Sequence, residues 1–192
     1  MTENTQTGRG RIFVVSAPSG AGKTTLCRSV ISEFDRLFYS VSHTTRKARV
    51  DETDSVDYFF ISKKEFEDRI AENYWAEWAR VHDNYYGTSK DFLNEKISSG
   101  NSVLLDIDVQ GAGLIKKAFP EAVTIFVMPP SFEVLEERLR KRGTDSEGVI
   151  LNRLENAGRE MDRKGWYDFI VINDDFEKAR RKMIDIISEH IR

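Results

Sequence analysis

Lys23 and Thr24 directly follow a run of small residues, Ala17-Pro-Ser-Gly-Ala-Gly22, and that order suggests phosphate chemistry. Backbone N–H groups of a tight glycine turn can converge on an anion, and the first turn of the next helix adds unpaired donors and a positive dipole end. In such a loop Ala17, Pro18, Ser19, Gly20, Ala21 and Gly22 would wrap a polyphosphate, and any side chain at Gly20 or Gly22 would block it. Lys23 would reach the β- and γ-phosphates, and the Thr24 hydroxyl would ligate Mg²⁺. The pattern GxxxxGK[ST] asks for glycine at its first position, where this chain has Ala17. Asp106 and Asp108 are two apart in Leu-Leu-Asp-Ile-Asp, so on a strand both side chains leave from one face. A carboxylate there can hold Mg²⁺ directly or through water, orient a ligand-binding side chain, or cap a helix starting at Gln110. His43, His82 and His190 are scattered without metal-like spacing, and no Ser-His-Asp or Cys-His arrangement stands out.

These groups need elements to position them. Ile12 to Val15 is a short apolar run suited to a strand buried on both faces, and Leu26, Cys27, Val30 and Ile31 make an apolar stripe on a helix opening at Lys23. Further strands are expected at 37–41, 103–108, 122–127 and 169–172, with helices at 110–119, from 131 to near Gly143, at 146–163 and at 175–191. Short apolar strands alternating with helices mean an α/β fold whose parallel sheet is covered on both faces, with ligands at the carboxyl ends of the strands. The small-residue loop, Ser42, Asp106–Asp108 and Asn173 all fall at such ends. Residues 42–90 interrupt the alternation. There a capping box at Ser62–Glu65 opens a helix, Trp75 to Tyr86 alternates loosely about an Asp83-Asn84 turn, and a helix at about 89–99 ends at Gly100. This stretch is rich in Tyr, Trp, Arg and Thr and is the expected place for a second substrate.

A chain of 192 residues fits one domain with a sizeable core, and 40% hydrophobic with 32% charged residues describes a soluble globular protein. A net charge of −3 without a basic block argues against a general nucleic-acid or membrane binder. One cysteine, Cys27, excludes an internal disulfide and suits a reducing compartment. Residues 1–10 read as a flexible leader without a secretion signal, and no apolar run approaches the roughly 20 residues needed to cross a bilayer, so the cytoplasm is the expected location.

Seven segments then carry a family resemblance: SAPSGAGKTTL (16–26), VSHTTRKAR (41–49), DYFF (57–60), EWARVHDNYYGTS (77–89), LLDIDVQG (104–111), PPS with RLRKRGT (129–144) and VINDD (171–175). In this order they resemble guanylate kinases, the P-loop nucleoside monophosphate kinases that transfer phosphate from ATP to GMP. The resemblance implies a three-layer α/β core (11–41, 91–136 and 157–192), a GMP-binding module (42–90) and a helical lid (about 137–156). It implies that Glu77 accepts the N1–H and 2-amino donors of guanine, with Ser42 and Thr88 as hydroxyl partners and Asp108 nearby. Arg46, Arg49, Tyr58 and Tyr86 would hold the GMP phosphate, and Asp106 would share the Mg²⁺ neighbourhood with Thr24. Arg138, Arg142 and Arg153 would close over the triphosphate and act in catalysis with Lys23 and Arg46, while Arg142 and Asn173 would touch ATP, the latter near adenine. The family pattern has proline between the two phosphate arginines and a glycine before the Asp-Tyr pair, where this chain reads Lys47-Ala48 and Ser55-Val56.

Two other readings belong beside this one. A non-catalytic guanylate-kinase-like binding module would lose the phosphate loop, whereas Lys23, Thr24 and the lid arginines are present. A P-loop kinase for another acceptor would lack the Ser42, Glu77 and Thr88 set, and a GTPase switch would need an Asn-Lys-x-Asp segment that this chain does not have. Monomer and homo-oligomer both stay open.

Overall fold

The structure is a computed structural model that describes residues 8–81, 83–141, 143 and 146–191. Arg142 and His82 lie outside the described residues, as do residues 1–7 of the expected leader. The chain runs β1 (Ile12–Ser16), α1 (Lys23–Ile31), β2 (Leu37–Ser40), β3 (His43–Thr44), β4 (Phe59–Phe60), α2 (Lys63–Ala71), β5 (Trp75–Val81), β6 (Asn84–Ser89), α3 (Lys90–Ser98) and β7 (Ser102–Asp106). It continues through α4 (Val109–Ala118), β8 (Val123–Met128), α5 (Phe132–Lys141), α6 (Glu147–Met161), a 3₁₀ turn (Asp162–Trp166), β9 (Phe169–Ile172) and α7 (Phe176–His190).

Every residue of β1 is buried because it is central in a parallel sheet ordered β2-β7-β1-β8-β9. Alternate residues feed two layers. Phe13 and Val15 pack with Leu26, Val30, Met183 and Ile187 of α1 and α7, while Val14 and Leu105 pack with Leu93, Ile97, Ala112 and Ile115 of α3 and α4. Cys27 lies fully buried in the first layer. Leu135 and Leu139 of α5 meet Ile150, Leu154 and Ala157 of α6 in a separate cluster, and Arg140 clasps Glu147 with two hydrogen bonds of 2.6 and 2.8 Å across the connection. Among the described residues no helix is long and apolar enough to cross a membrane.

The interrupting stretch builds its own sheet, ordered β4-β3-β6-β5. β3 and β4 are two residues each and pair only with distant partners, which is why residues 42–60 carry no periodic signal. Trp75 opposes Ser89 and Glu77 opposes Thr88, so a bulge lies between them. Without that shift the register would set Glu77 against Gly87 instead. Ser62, Ser89, Asp108 and Asp175 each accept a backbone N–H at the start of α2, α3, α4 and α7, respectively. β7 stops at Asp106, two residues short of the expected end, because Asp108 turns away to cap α4.

Candidate active site

The small-residue loop joins β1 to α1 and is pinned by a tight turn, Ala21 N–H to Pro18 C=O at 3.1 Å. Gly20 and Gly22 have φ of 97° and 87°, a region that only glycine enters without cost. A Cβ on Gly20 would press on Leu135 and Leu139 of α5, and one on Gly22 would lie 2.6 Å from Asn173 Nδ2. Both glycines are therefore demanded by the protein's own packing as well as by the space a polyphosphate would need. Ala17 has no positive φ and is buried against the core, so the residue that departs from the motif meets no backbone demand for glycine. Gly22 caps α1 without a side-chain hydrogen bond, and no acidic residue sits in the first turn, which leaves that helix end open to an anion.

Lys23 Nζ pairs with Asp106 Oδ1 at the end of β7. Burial alone would depress the lysine, but the Asp106 charge and hydrogen bond hold its pKa above the ordinary value. Burial pushes Asp106 upward, and Lys23, with hydrogen bonds from Lys23, Thr24 and Tyr39, brings it below the usual carboxylate range. Tyr39 donates to Oδ2 at 3.2 Å. Asp106 therefore stays ionised beneath the loop, beside the Thr24 hydroxyl. These are hard oxygen donors, and among the described residues no cluster of three His, Cys, Asp or Glu side chains could cage a metal. That donor set fits Mg²⁺, which takes one or two protein oxygens and completes its shell with water and phosphate.

A cleft of about 260 Å³ runs from Lys23 and Thr24 past Asp106 and Asp108 to Ser42, Tyr58, Glu77 and Tyr86. At its far end Glu77 is 6% exposed and accepts the Thr88 hydroxyl at 2.6 Å. Burial raises the Glu77 pKa to about 7, with Asp108 adding to the rise and Thr88 opposing it. Thr88 is fully buried and is not among the residues lining the cleft. Gly111, in the first turn of α4, lets the carboxylate approach closely, since a Cβ there would stand 2.9 Å from Glu77 Oε2. Asp108 caps α4 through Gln110 and Gly111 N–H at 2.9 and 2.8 Å while also lining the cleft.

Arg46 and Arg49 meet at a residue the sequence reading passed over. Glu52 accepts from Arg46 Nη2 at 2.7 Å and from the Arg49 backbone N–H at 2.8 Å. The Arg46 guanidinium also lies over the Tyr58 ring at 5.5 Å. Arg49 lines a neighbouring hollow of about 220 Å³ with Thr24, Ser42, Glu52, Tyr58 and Asp106. Glu52 thus supplies an anion where two arginines and a tyrosine converge.

Of the expected lid arginines, the two among the described residues, Arg138 and Arg153, stand apart. Arg138 donates from Nη2 to the Asn173 carbonyl at 2.9 Å, whereas Arg153 lines a hollow of about 540 Å³ with Ser19, Arg80, Asp108, Glu160 and Arg163. Burial and Asp108 raise Glu160 to about 7, against the pull of Lys23, the Ser19 backbone and Arg163. Arg153, Asn156, Glu160 and Arg163 follow a 3-4-3 spacing, and that one-sided stripe is the signal that could have found Glu160. Asn173 is buried at the end of β9 against the phosphate loop.

A family model described as guanylate kinase matches residues 9–190. The guanylate kinase of Carboxydothermus hydrogenoformans is 48% identical over 171 residues, which cover 89% of this chain and 84% of that protein. The guanylate kinase of Syntrophotalea carbinolica is 49% identical over 178 residues, covering 93% and 85% respectively. Among solved structures, the guanylate kinase from Anaplasma phagocytophilum matches with a TM-score of 0.80 at 32% identity, over 96% of this chain and 88% of that one.

Proposed function

As the chain belongs to the guanylate kinase family, we infer that it transfers the γ-phosphate of ATP to GMP, giving ADP and GDP in purine nucleotide metabolism. The observation that carries this reading is the cleft with Lys23 and Thr24 at one end and the buried Glu77–Thr88 pair at the other. ATP would lie along Ala17–Thr24, with GMP between Ser42 and Thr88. Ionised Glu77 offers two acceptor oxygens to the N1–H and 2-amino group of guanine. Adenine would turn a lone pair toward that carboxylate and leave buried polar groups unpaired. Arg46, Arg49, Tyr58 and Tyr86 would take the acceptor phosphate in place of Glu52, with guanidinium forks suited to its oxygens.

A GMP phosphate oxygen forms the new bond to the γ-phosphorus as the bridging oxygen leaves with ADP. That oxygen is already anionic, so no general base is required. The chain's task is to align the two ends and neutralise charge, with Lys23 on the β- and γ-phosphates and Arg138, Arg142 and Arg153 closing over them. Thr24 and Asp106 would hold Mg²⁺, directly or through water, and the ion would supply charge neutralisation at the phosphates. We assign GMP binding to 42–90 and the lid to about 137–156, in a cytoplasmic protein.

A coupled ADP-release assay across GMP, AMP, CMP and UMP tests the acceptor. GMP is expected to exceed the others in kcat/KM by on the order of 10²-fold or more. Comparable turnover of AMP, or undiminished turnover in Lys23→Ala, would overturn the reading.

A further inference from the structure

Asn173 is held from three sides. Its backbone N–H donates to Met128 C=O at the end of β8 at 2.7 Å, and its carbonyl accepts Arg138 of α5 at 2.9 Å. With the backbone fixed at both groups, the buried side chain points at the phosphate loop, where Nδ2 donates to Ala21 C=O at 2.7 Å. The approach is so close that residue 22 can carry no Cβ. The carbonyl and the following N–H of a trans peptide point in opposite directions. Drawing the Ala21 carbonyl toward Asn173 therefore turns the Gly22 N–H to the opposite side of the loop, free to meet a phosphate.

We propose that Asn173 is a positioning residue for the donor phosphates: it sets the orientation of the Ala21–Gly22 peptide and ties the phosphate loop to α5 through Arg138. This differs from reading the base of ATP, because the contact is made to the loop itself. The role rests on the donor site lying at 17–24. It also accounts for glycine at 22 by a neighbour 151 residues away in sequence, one less than the 152-residue separation of the Ala21–Asn173 hydrogen bond.

Inorganic tripolyphosphate with Mg²⁺ separates the two roles, since it carries phosphates and no base. Asn173→Ala and the milder Asn173→Ser are each compared with the parent for binding of ATP, tripolyphosphate and GMP. A loop strut predicts that ATP and tripolyphosphate weaken by the same factor, about tenfold, the scale of one lost buried hydrogen bond. GMP affinity should stay within about twofold, showing that the fold is intact. Amide hydrogen exchange at Gly20–Lys23 should quicken in the same variants. Weaker ATP with unchanged tripolyphosphate and unchanged loop exchange would overturn the strut in favour of base recognition. Tripolyphosphate binding that Lys23→Ala leaves untouched would instead remove the donor-site reading, and the proposal with it.

Discussion

Glu77 carries a conflict that can be measured. Burial favours its neutral form up to about pH 7, while recognition of guanine needs the anion. GMP affinity should therefore fall as pH drops below about 7, approaching tenfold per unit, and GMP binding at pH 6 should release a proton. Glu77→Gln should flatten that step and weaken GMP roughly 10- to 100-fold with ATP affinity nearly unchanged; calorimetry in buffers of different ionisation enthalpy reads both. Stability runs the other way. The folded pKa lies above the ordinary value, so the unliganded fold binds the extra proton, and this group's destabilising effect grows as pH rises from about 4.5 toward 7. Glu160 titrates in the same range, so the difference between the parent and Glu77→Gln isolates Glu77. At this scale Lys23, Thr24 and the glycines were legible because one local motif holds them. Glu52 and Glu160 were not, because their meaning comes from partners that the fold brings to them.

Among the elements, α4 sets helix propensity against site geometry. Gly111→Ala should favour the helix by up to about 1 kcal/mol. The new methyl would stand 2.9 Å from Glu77 Oε2 and push the carboxylate from its place. The expected result is an unchanged or higher melting temperature with a loss of GMP affinity; retained GMP affinity would show that the close approach does not matter. Ser55, just before the Asp57-Tyr58 pair, holds φ of 63°, a left-handed conformation that favours glycine. Ser55→Gly should relieve that strain and stabilise the fold by about 0.5–1 kcal/mol, read from denaturant midpoints. The short apolar run of β1 and the apolar stripes of α1 and α7 were legible, and so was the alternation at 75–86. The expected Asp83-Asn84 turn falls a residue late, because Asn84 already opens β6 opposite Val81. The paired dipeptides β3 and β4 and the bulge that sets Glu77 opposite Thr88 depend on long-range register, which no local pattern encodes.

At the scale of the molecule, the alternation of strands and helices foretold a parallel sheet with its polar residues at one edge, and the five strands place the phosphate loop, Asp106 and Asn173 there. How the inserted sheet meets that edge was not readable. One tie is Arg28 of α1, which donates to Asp57 at 2.6 Å. Both partners touch solvent, so Arg28→Ala should cost less than about 1 kcal/mol. A loss above 2 kcal/mol would mark this link as a major brace between the two sheets. Cys27, fully buried beneath the loop with its thiol pKa driven up by burial and by Asp106, has a further consequence. The chain's one thiol is sheltered from alkylating reagents until the first layer opens, so iodoacetamide incorporation becomes a clock for that opening. Saturating ATP should slow the clock by the factor with which it stabilises the closed protein. Labelling as fast as that of a small free thiol would mean that the sulfur is not sheltered at all.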